Sequence, residues 1–198
     1  MPLSPALMLA LASHCASTLA PATLVSVARV ESGFDPLAIG VNSPVAGRIH
    51  PKSQTEAVAI ATRLIGSGAN IDLGVGQINS ANLARLGLTV ADAFSPWRNL
   101  HAAGVVLQQA YQSQWPAPGR EQAALRTALS IYNTGRTDRG FRNGYVAKVS
   151  IAAGIAVPAL APSEASRSLP PPPTWDVFAV ARSSGPLALK SGRGSRRS

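Results

Sequence analysis

The sequence is poor in cysteine and in aromatic residues. A single cysteine, Cys15, among 198 residues excludes an internal disulfide and a cysteine-based zinc cluster. Aromatic residues make up only 5% of the chain, and without a stacking motif they give no support for specific nucleic-acid recognition. No stretch reaches the ~18 apolar residues of a membrane-spanning helix. We therefore expect a protein with no specific nucleic-acid partner and no membrane span.

Acidic residues are also scarce, with 9 against 18 basic residues and a net charge of +9. The excess is densest in residues 158–198, where 6 basic residues face 2 acidic ones and 7 of the 16 prolines lie. Such a segment favours extended conformations and cannot bury enough apolar surface to fold alone. The sequence predicts a folded domain over 1–157 and a Pro-rich, basic, disordered tail over 158–198. The apolar cluster around Trp175 is compatible with a small docking segment, but the composition favours a flexible tail with incidental apolar residues.

The first 157 residues show the spacing of short helices separated by Gly, Pro and Asn. Residues 34–52 have no helical period and predict a loop, and no convincing alternating strand is found. We expect a mainly α fold. The predicted helices are one from Pro21 with the apolar positions Leu24, Val27 and Ala28, one over 53–66 with a Ser53–Glu56 capping box, one capped by Asn79 or Ser80 and closed by Gly87, one capped by Asn99, one carrying Leu125, Ala128, Leu129 and Tyr132, and one after Asn143.

The N-terminal residues 3–12 are apolar like the central region of a secretory signal. No Lys or Arg precedes Arg29, so the positively charged region that begins such a signal is missing. The sequence favours an uncleaved first helix over a signal peptide and leaves the export route open.

Glu31 continues the apolar stripe of the helix that begins at Pro21, and Ser32-Gly33 follow it directly. A glutamate is seldom buried without a partner, and desolvation raises a carboxyl pKa toward the range that a general acid needs. The alternative is that Glu31 lies at the edge of the apolar face of the helix and reaches solvent at the helix end. By itself the position favours that simpler interpretation.

Two further segments combine glycine with amides or a phenol. Residues 74–79, Gly-Val-Gly-Gln-Ile-Asn, allow a close approach of backbone to a ligand, with the amides of Gln77 and Asn79 nearby. Residues 132–135, Tyr-Asn-Thr-Gly, end a helix with Tyr132 on its buried stripe. Each segment alone is compatible with an ordinary turn or helix end.

Taken in order, Glu31-Ser32-Gly33, then Gly-x-Gly-Gln-Ile-Asn, then Tyr-Asn-x-Gly resemble the lytic transglycosylases of the goose-lysozyme-like fold. The stretch 30–42 and the long gap between Glu31 and Gln77 resemble the subfamily that serves type IV secretion and conjugation systems. Asn99-Leu100 and Tyr145-Val146 also fit the family pattern. The resemblance covers about residues 5–152 and implies a lysozyme-like helical domain.

The resemblance also implies roles for individual residues. Glu31 matches the single catalytic acid and base, and Ser32 belongs to the same motif. Tyr132 matches the tyrosine that hydrogen-bonds near the catalytic glutamate. The remaining implied residues are contacts for the substrate: Gln77, Asn79, Asn133 and Tyr145.

The family's chemistry suits a chain with one well-placed acid. Most glycosidases need two carboxylates, whereas Asp35 and Asp72 look like loop or capping residues. The resemblance implies that Glu31 protonates the bond between N-acetylmuramic acid and N-acetylglucosamine. It then deprotonates the muramoyl C6 hydroxyl, closing a 1,6-anhydro ring without metal or cofactor.

The implied setting is a periplasmic monomer that opens peptidoglycan for a type IV secretion system, with the tail as a possible contact to that system. Two alternatives stay open: a lysozyme-type hydrolase that uses the same glutamate, and a non-catalytic wall-binding module.

Overall fold

The computed structural model describes residues 1–15, 20–114 and 118–154. The predicted tail over 158–198 and the boundary at 157 lie outside these residues, as does the apolar cluster around Trp175. The described part is mainly helical, as predicted. Its α-helices are α1 (Pro5–Cys15), α2 (Pro21–Ser32), α3 (Gln54–Gly66), α4 (Pro96–Gln112), α5 (Glu121–Thr134), α6 (Arg139–Arg142) and α7 (Tyr145–Ala152). Its strands are β1 (Ile39–Ser43), β2 (Gly47–Ile49), β3 (Asn70–Leu73) and β4 (Ile78–Asn79), and 3₁₀ turns cover Ser80–Asn82 and Asp92–Phe94.

Local sequence signals explain where most helices begin and end. The Ser53 hydroxyl accepts the backbone N–H of Glu56 and caps α3 as predicted. Gly33 ends α2 and Gly135 ends α5, each with a positive φ that glycine adopts without strain. Asn79 caps only a three-residue 3₁₀ turn, which is shorter than the helix predicted up to Gly87.

The predictions of no strands and of a loop over 34–52 are wrong. Residues 39–43 and 47–49 form β1 and β2, which belong to an antiparallel sheet of order β2-β1-β3-β4. The strands are two to five residues long, too short to display a clear period of two. Pairing between segments far apart in the chain stabilises them.

The prediction that Asn99 caps α4 is wrong. The helix begins at Pro96 after Ser95, and Asn99 lies inside it, fully buried. A proline at the first helical position loses no internal hydrogen bond, which explains the earlier start. The side chain of Asn99 is consequently available for contacts outside its helix.

Two apolar clusters form the core, and α4 contributes to both. One cluster packs α1, α2, α5 and α7 against Leu100 and Leu107 of α4. The other packs the sheet and α3 against Ala102 and Ala103. Tyr132 contacts both clusters. We call the first cluster, with the elements around it, the helical half, and the second the sheet half.

The N-terminal segment is part of the helical half. Met8 and Ala12 of α1 are fully buried against α2 and α4. The backbone N–H of Leu3 donates to the carbonyl of Phe34, 2.9 Å away. Within the part of the chain that the structure describes, no helix combines the length and apolar character that crossing a bilayer requires.

Candidate active site

A polar cleft of about 780 Å³ is lined by both halves of the molecule. Such a volume is within the usual range for a ligand site. Glu31 enters the cleft from the last turn of α2, where it is half-buried. The sheet half adds Asp72, Gln77 and Asn79, whereas α5 adds Tyr132 and Asn133.

The carboxyl group of Glu31 is held by Tyr145, whose hydroxyl donates to Oε1 at 2.6 Å. Burial raises the pKa of Glu31 from 4.5 to about 7, although the hydrogen bond from Tyr145 opposes the rise. Among the described residues, no hydrogen bond engages Oε2 of Glu31. Glu31 can therefore carry a proton near neutral pH, with Oε2 free to present it.

Two charges of the sheet half act on Glu31 in opposite directions. The negative charge of Asp72 raises the pKa of Glu31, and the positive charge of Arg48 lowers it, both by less than burial does. Arg48 also donates to the backbone carbonyl of Glu31 at 2.7 Å, which stabilises the C-terminal end of α2. The sheet half thus adjusts the pKa of a carboxyl group that the helical half supplies.

The glycine segment 74–77 is fixed from behind by Asn99. The Asn99 side chain accepts the N–H of Gly76 at 2.7 Å and donates to the carbonyls of Leu73 and Ala93, each at 2.8 Å. A Cβ on Gly74 would lie 2.2 Å from the Ala93 carbonyl oxygen, and one on Gly76 would lie 2.9 Å from Ala103. The two glycines are therefore required by close packing against α4 and the 3₁₀ turn that precedes it.

Tyr132 lies near Glu31, and burial together with the negative charge of that glutamate raises the pKa of the Tyr132 hydroxyl. Its hydroxyl donates to the carbonyl of Gly76 at 2.6 Å, so it fastens α5 to the glycine segment. Tyr145, predicted as a substrate contact, is the tyrosine that binds Glu31. Spacing alone does not distinguish the two phenols because both lie on buried helical stripes.

Ser32 and Gln77 also bind backbone in this region. The Ser32 hydroxyl donates to the carbonyl of Val75 at 2.8 Å, joining α2 to the glycine segment. Gln77 has a positive φ of 51°, a conformation that costs energy outside glycine. Its amide donates to the carbonyls of Gly74 and Ala38 at 2.8 and 3.2 Å, so the strained residue is stabilised by its own side chain.

The prediction that Asp72 is a loop or capping residue is wrong. Asp72 lies on β3 and lines the cleft. The amides of Asn42 and Asn79 each donate to its carboxylate at 2.8 Å and also to Oδ1 of Asn70. Asn79 Oδ1 accepts the N–H of Ala81, so all polar atoms of this predicted sugar contact are engaged within the protein. Asp35, by contrast, accepts the N–H of Leu37 and contacts His50, as a loop residue would.

Sequence reasoning missed Asn42, Arg48 and Asp72, and also Arg139 and Asn143, which line the cleft. Asp72 lies on β3 opposite Gly40 of β1, and strands this short have no local sequence pattern that reveals the pairing. A Cβ on Gly40 would lie 2.7 Å from Oε1 of Gln77. The glycine therefore leaves space for the side chain of a cleft residue.

The opposite wall of the cleft is formed by α5 and α6. Oδ1 of Asn133 accepts a hydrogen bond from the amide of Asn143 at 2.9 Å, and Oδ1 of Asn143 accepts the N–H of Tyr145 at 3.0 Å. Arg139, at the start of α6, lines the same wall. Asn133 and Tyr145 are therefore connected through one intervening amide.

Comparison with known proteins gives one family. Residues 8–153 match the family model described as Transglycosylase SLT domain. Protein virB1 of Rhizobium radiobacter is 40% identical over 179 residues, which cover 89% of this chain and 74% of that protein. The type IV secretion system protein virB1 of Brucella suis biovar 1 (strain 1330) is 40% identical over 161 residues, which cover 77% of this chain and 66% of the relative.

No solved structure matches the chain with significant similarity. The family match nevertheless spans α2, the glycine segment, α5 and α7, the elements that carry the residues around Glu31. The chain therefore belongs to the Transglycosylase SLT domain family and is a peptidoglycan lytic transglycosylase.

Proposed function

We propose that the protein cleaves the β-1,4 bond between N-acetylmuramic acid and N-acetylglucosamine and leaves a 1,6-anhydro-muramoyl end. The observation that carries the proposal is the state of Glu31, a half-buried carboxyl with a pKa of about 7 that opens into a polar cleft. General acid catalysis is most efficient when the pKa lies near the working pH.

The reaction uses Glu31 twice. Protonated Oε2 donates its proton to the glycosidic oxygen, and the bond to the muramoyl C1 breaks as positive charge develops on the sugar. The resulting carboxylate then accepts the proton of the muramoyl C6 hydroxyl, whose oxygen attacks C1 and closes the anhydro ring. Tyr145 donates to Oε1 in both steps, which stabilises the carboxylate formed between them.

A lysozyme-type hydrolase is the second candidate, and Asp72 favours it. Asp72 lines the same cleft as Glu31, and two carboxylates across a cleft suit ordinary glycoside hydrolysis. In that case Asp72 would stabilise the cationic sugar or attack it, and water would supply the final oxygen. A non-catalytic wall-binding module gains no support, since a raised pKa at Glu31 serves no purpose in binding alone.

Mass spectrometry of the muropeptides released from purified sacculi tests the proposal. We expect 1,6-anhydro-muramoyl ends, and activity that falls as Glu31 loses its proton through about pH 7. Reducing muramoyl ends would reassign the protein as a hydrolase. The variant Asp72→Asn sharpens the result: it should leave the anhydro product unchanged in a transglycosylase and abolish reducing ends in a hydrolase.

We further propose that the protein acts in the periplasm and opens the wall where a type IV secretion system assembles. The support is the naming of its Brucella relative as a type IV secretion system protein. The basic tail over 158–198 would add affinity for the anionic wall or for components of that system, by raising the local concentration of the domain.

A chain ended after Val157 tests the role of the tail. It should cleave short soluble glycan fragments normally and bind sacculi less well, with the deficit largest at low salt because salt screens charge attraction. Loss of activity on short fragments would show that the boundary at 157 is misplaced.

A further inference from the structure

The two walls of the cleft offer opposite hydrogen-bonding groups. On the sheet side, both amide hydrogens of Asn42 are used on Asn70 and Asp72, so its remaining polar atom, Oδ1, is an acceptor. Asp72 itself is a carboxylate and adds only acceptors. A substrate that meets this wall must therefore present hydroxyl or N–H donors.

The opposite wall, formed by α5 and α6, presents hydrogen-bond donors. The backbone N–H of Tyr145 fixes which atoms of the neighbouring amides face the cleft. The N–H of Tyr145 can only donate, so the atom of Asn143 that it binds must be Oδ1. The amide of Asn143 therefore donates to Asn133, which must use Oδ1 to accept. What Asn133 offers to the cleft is consequently its NH₂ group.

Arg139 adds a cation to this donor wall. It is the one cationic residue among those described that line the cleft. Its neighbours Arg136 and Arg142 both pair with Asp138. Over the described ranges 1–15, 20–114 and 118–154, no carboxylate lies within ion-pair distance of Arg139. Its guanidinium, which has only donors, is thus available to a ligand.

We propose that Arg139, together with the NH₂ group of Asn133, binds a carboxylate of the muramoyl arm of the substrate. The inference rests on the proposed function, because the carboxylate must come from peptidoglycan. A carboxylate accepts hydrogen bonds without donating, and a guanidinium binds it in a charge-assisted fork. This makes Arg139 a residue that determines specificity for acidic glycan strands.

Two carboxylates are chemically suitable. In a peptide-free strand the 3-O-lactyl group of muramic acid ends in a free carboxylate. In an intact strand that group is linked to the stem peptide, whose own side chains and terminus carry carboxylates. Both sources use the same recognition chemistry, and they differ in their distance from the sugar ring.

The test measures binding in the inactive Glu31→Gln background and kcat/KM in the active enzyme. Three ligands are compared: strands with stem peptides, peptide-free strands, and peptide-free strands with the lactyl carboxylate amidated. Arg139→Gln should weaken binding of acidic strands about tenfold, as expected for one charge-assisted contact. It should leave the amidated strand unaffected, and Arg139→Lys should give an intermediate loss because it keeps the charge without the fork.

The matched control is Arg142→Gln, which removes the same charge three residues away on α6 from an exposed pair of little energetic value. We expect it to bind all three ligands like the parent protein. A loss by Arg139→Gln on peptide-free strands identifies the lactyl carboxylate, and a loss confined to peptide-bearing strands identifies the stem peptide.

Equal losses on acidic and amidated strands, or equal losses in Arg139→Gln and Arg142→Gln, would overturn the proposal and leave only diffuse charge attraction. If thermal melting shows that Arg139→Gln is unfolded, Arg139→Lys decides: it must discriminate less between acidic and amidated strands than the parent does. Failure of the proposed function is distinct, since the unmodified enzyme would then release no 1,6-anhydro-muramoyl ends from any of the strands.

Discussion

The helical half and the sheet half of the molecule divide the work at the cleft. The helical half supplies Glu31 and its partner Tyr145, which come from α2 and α7. The sheet half supplies Asp72 and Arg48, whose opposite charges act on the pKa of that glutamate. The general acid and the charges that adjust its pKa therefore come from different halves of the molecule. Each can be altered by substitution without removing the other.

The largest expected effect follows from changing the acid itself. Glu31→Gln keeps the shape of the side chain and removes its titrating proton, so turnover on sacculi should fall by at least ~100-fold. Glu121→Gln, at the first residue of α5 and not among the residues that line the cleft, is the matched control and should retain full turnover. Comparable turnover in the two variants would contradict the central role of Glu31.

The next effect concerns the connection between the halves. Asn99→Ala removes three hydrogen bonds to buried backbone groups of the glycine segment and its surroundings. Each unsatisfied group costs ~1–3 kcal/mol, so the free energy of unfolding should fall by about 3 kcal/mol in denaturant melts. Gln122→Ala on the exposed face of α5 should change it by less than about 0.5 kcal/mol. Equal stability of the two variants would mean that Asn99 does not hold the halves together.

A smaller effect is expected when Tyr145, the tyrosine that binds Glu31, loses its hydroxyl. The hydrogen bond from Tyr145 lowers the pKa of Glu31, so in Tyr145→Phe that pKa should rise above its value of about 7. The fall of activity on the alkaline side should move to higher pH, and kcat should drop about tenfold, the effect of one lost hydrogen bond to a charged group. Tyr111→Phe, a tyrosine of α4 away from the cleft, should leave the pH profile in place. An unchanged profile in Tyr145→Phe would argue that the phenol only packs.

The smallest effects test the contribution of the sheet half. Asp72→Asn removes a negative charge that raises the pKa of Glu31, so the alkaline limb should move to lower pH. Arg48→Gln removes a positive charge that lowers the pKa, so the limb should move to higher pH. We expect each shift to be below about one pH unit, since water and salt screen both groups. Shifts of the same sign in the two variants would refute the opposing arrangement.

The same division explains what the sequence could predict. Helical stripes and glycines at helix ends identify α2, α5 and α7, because the apolar face of a helix repeats at residues three and four apart in the sequence. Glu31 is recognisable for that reason. The role of Asp72 depends on the pairing of β3 with β1, some 30 residues away, and on amides that reach it across strands. A two- to five-residue strand has no local pattern that reveals such partners.

Asn99 shows a second kind of failure. Its residue type is common at helix caps, and this signal competes with Ser95-Pro96, where α4 actually begins three residues earlier. Its actual use, as a buried amide that satisfies three backbone groups, becomes visible only when the two halves are packed together. Likewise, the sequence does not show that Tyr145 donates to Glu31, because that hydrogen bond joins residues 114 positions apart in the chain.

The hydrogen bond from Leu3 to Phe34 connects the N-terminal segment directly to the residues that follow α2. Phe34 lies three residues after Glu31, with a positive φ of 70°, and it directly follows Gly33, which ends α2. A fusion partner, a surface linkage or a pulling force applied at Met1 acts at once on the end of α2. Immobilisation through the first residues should therefore disturb the enzyme more than attachment through an exposed loop on the sheet half such as residues 44–46.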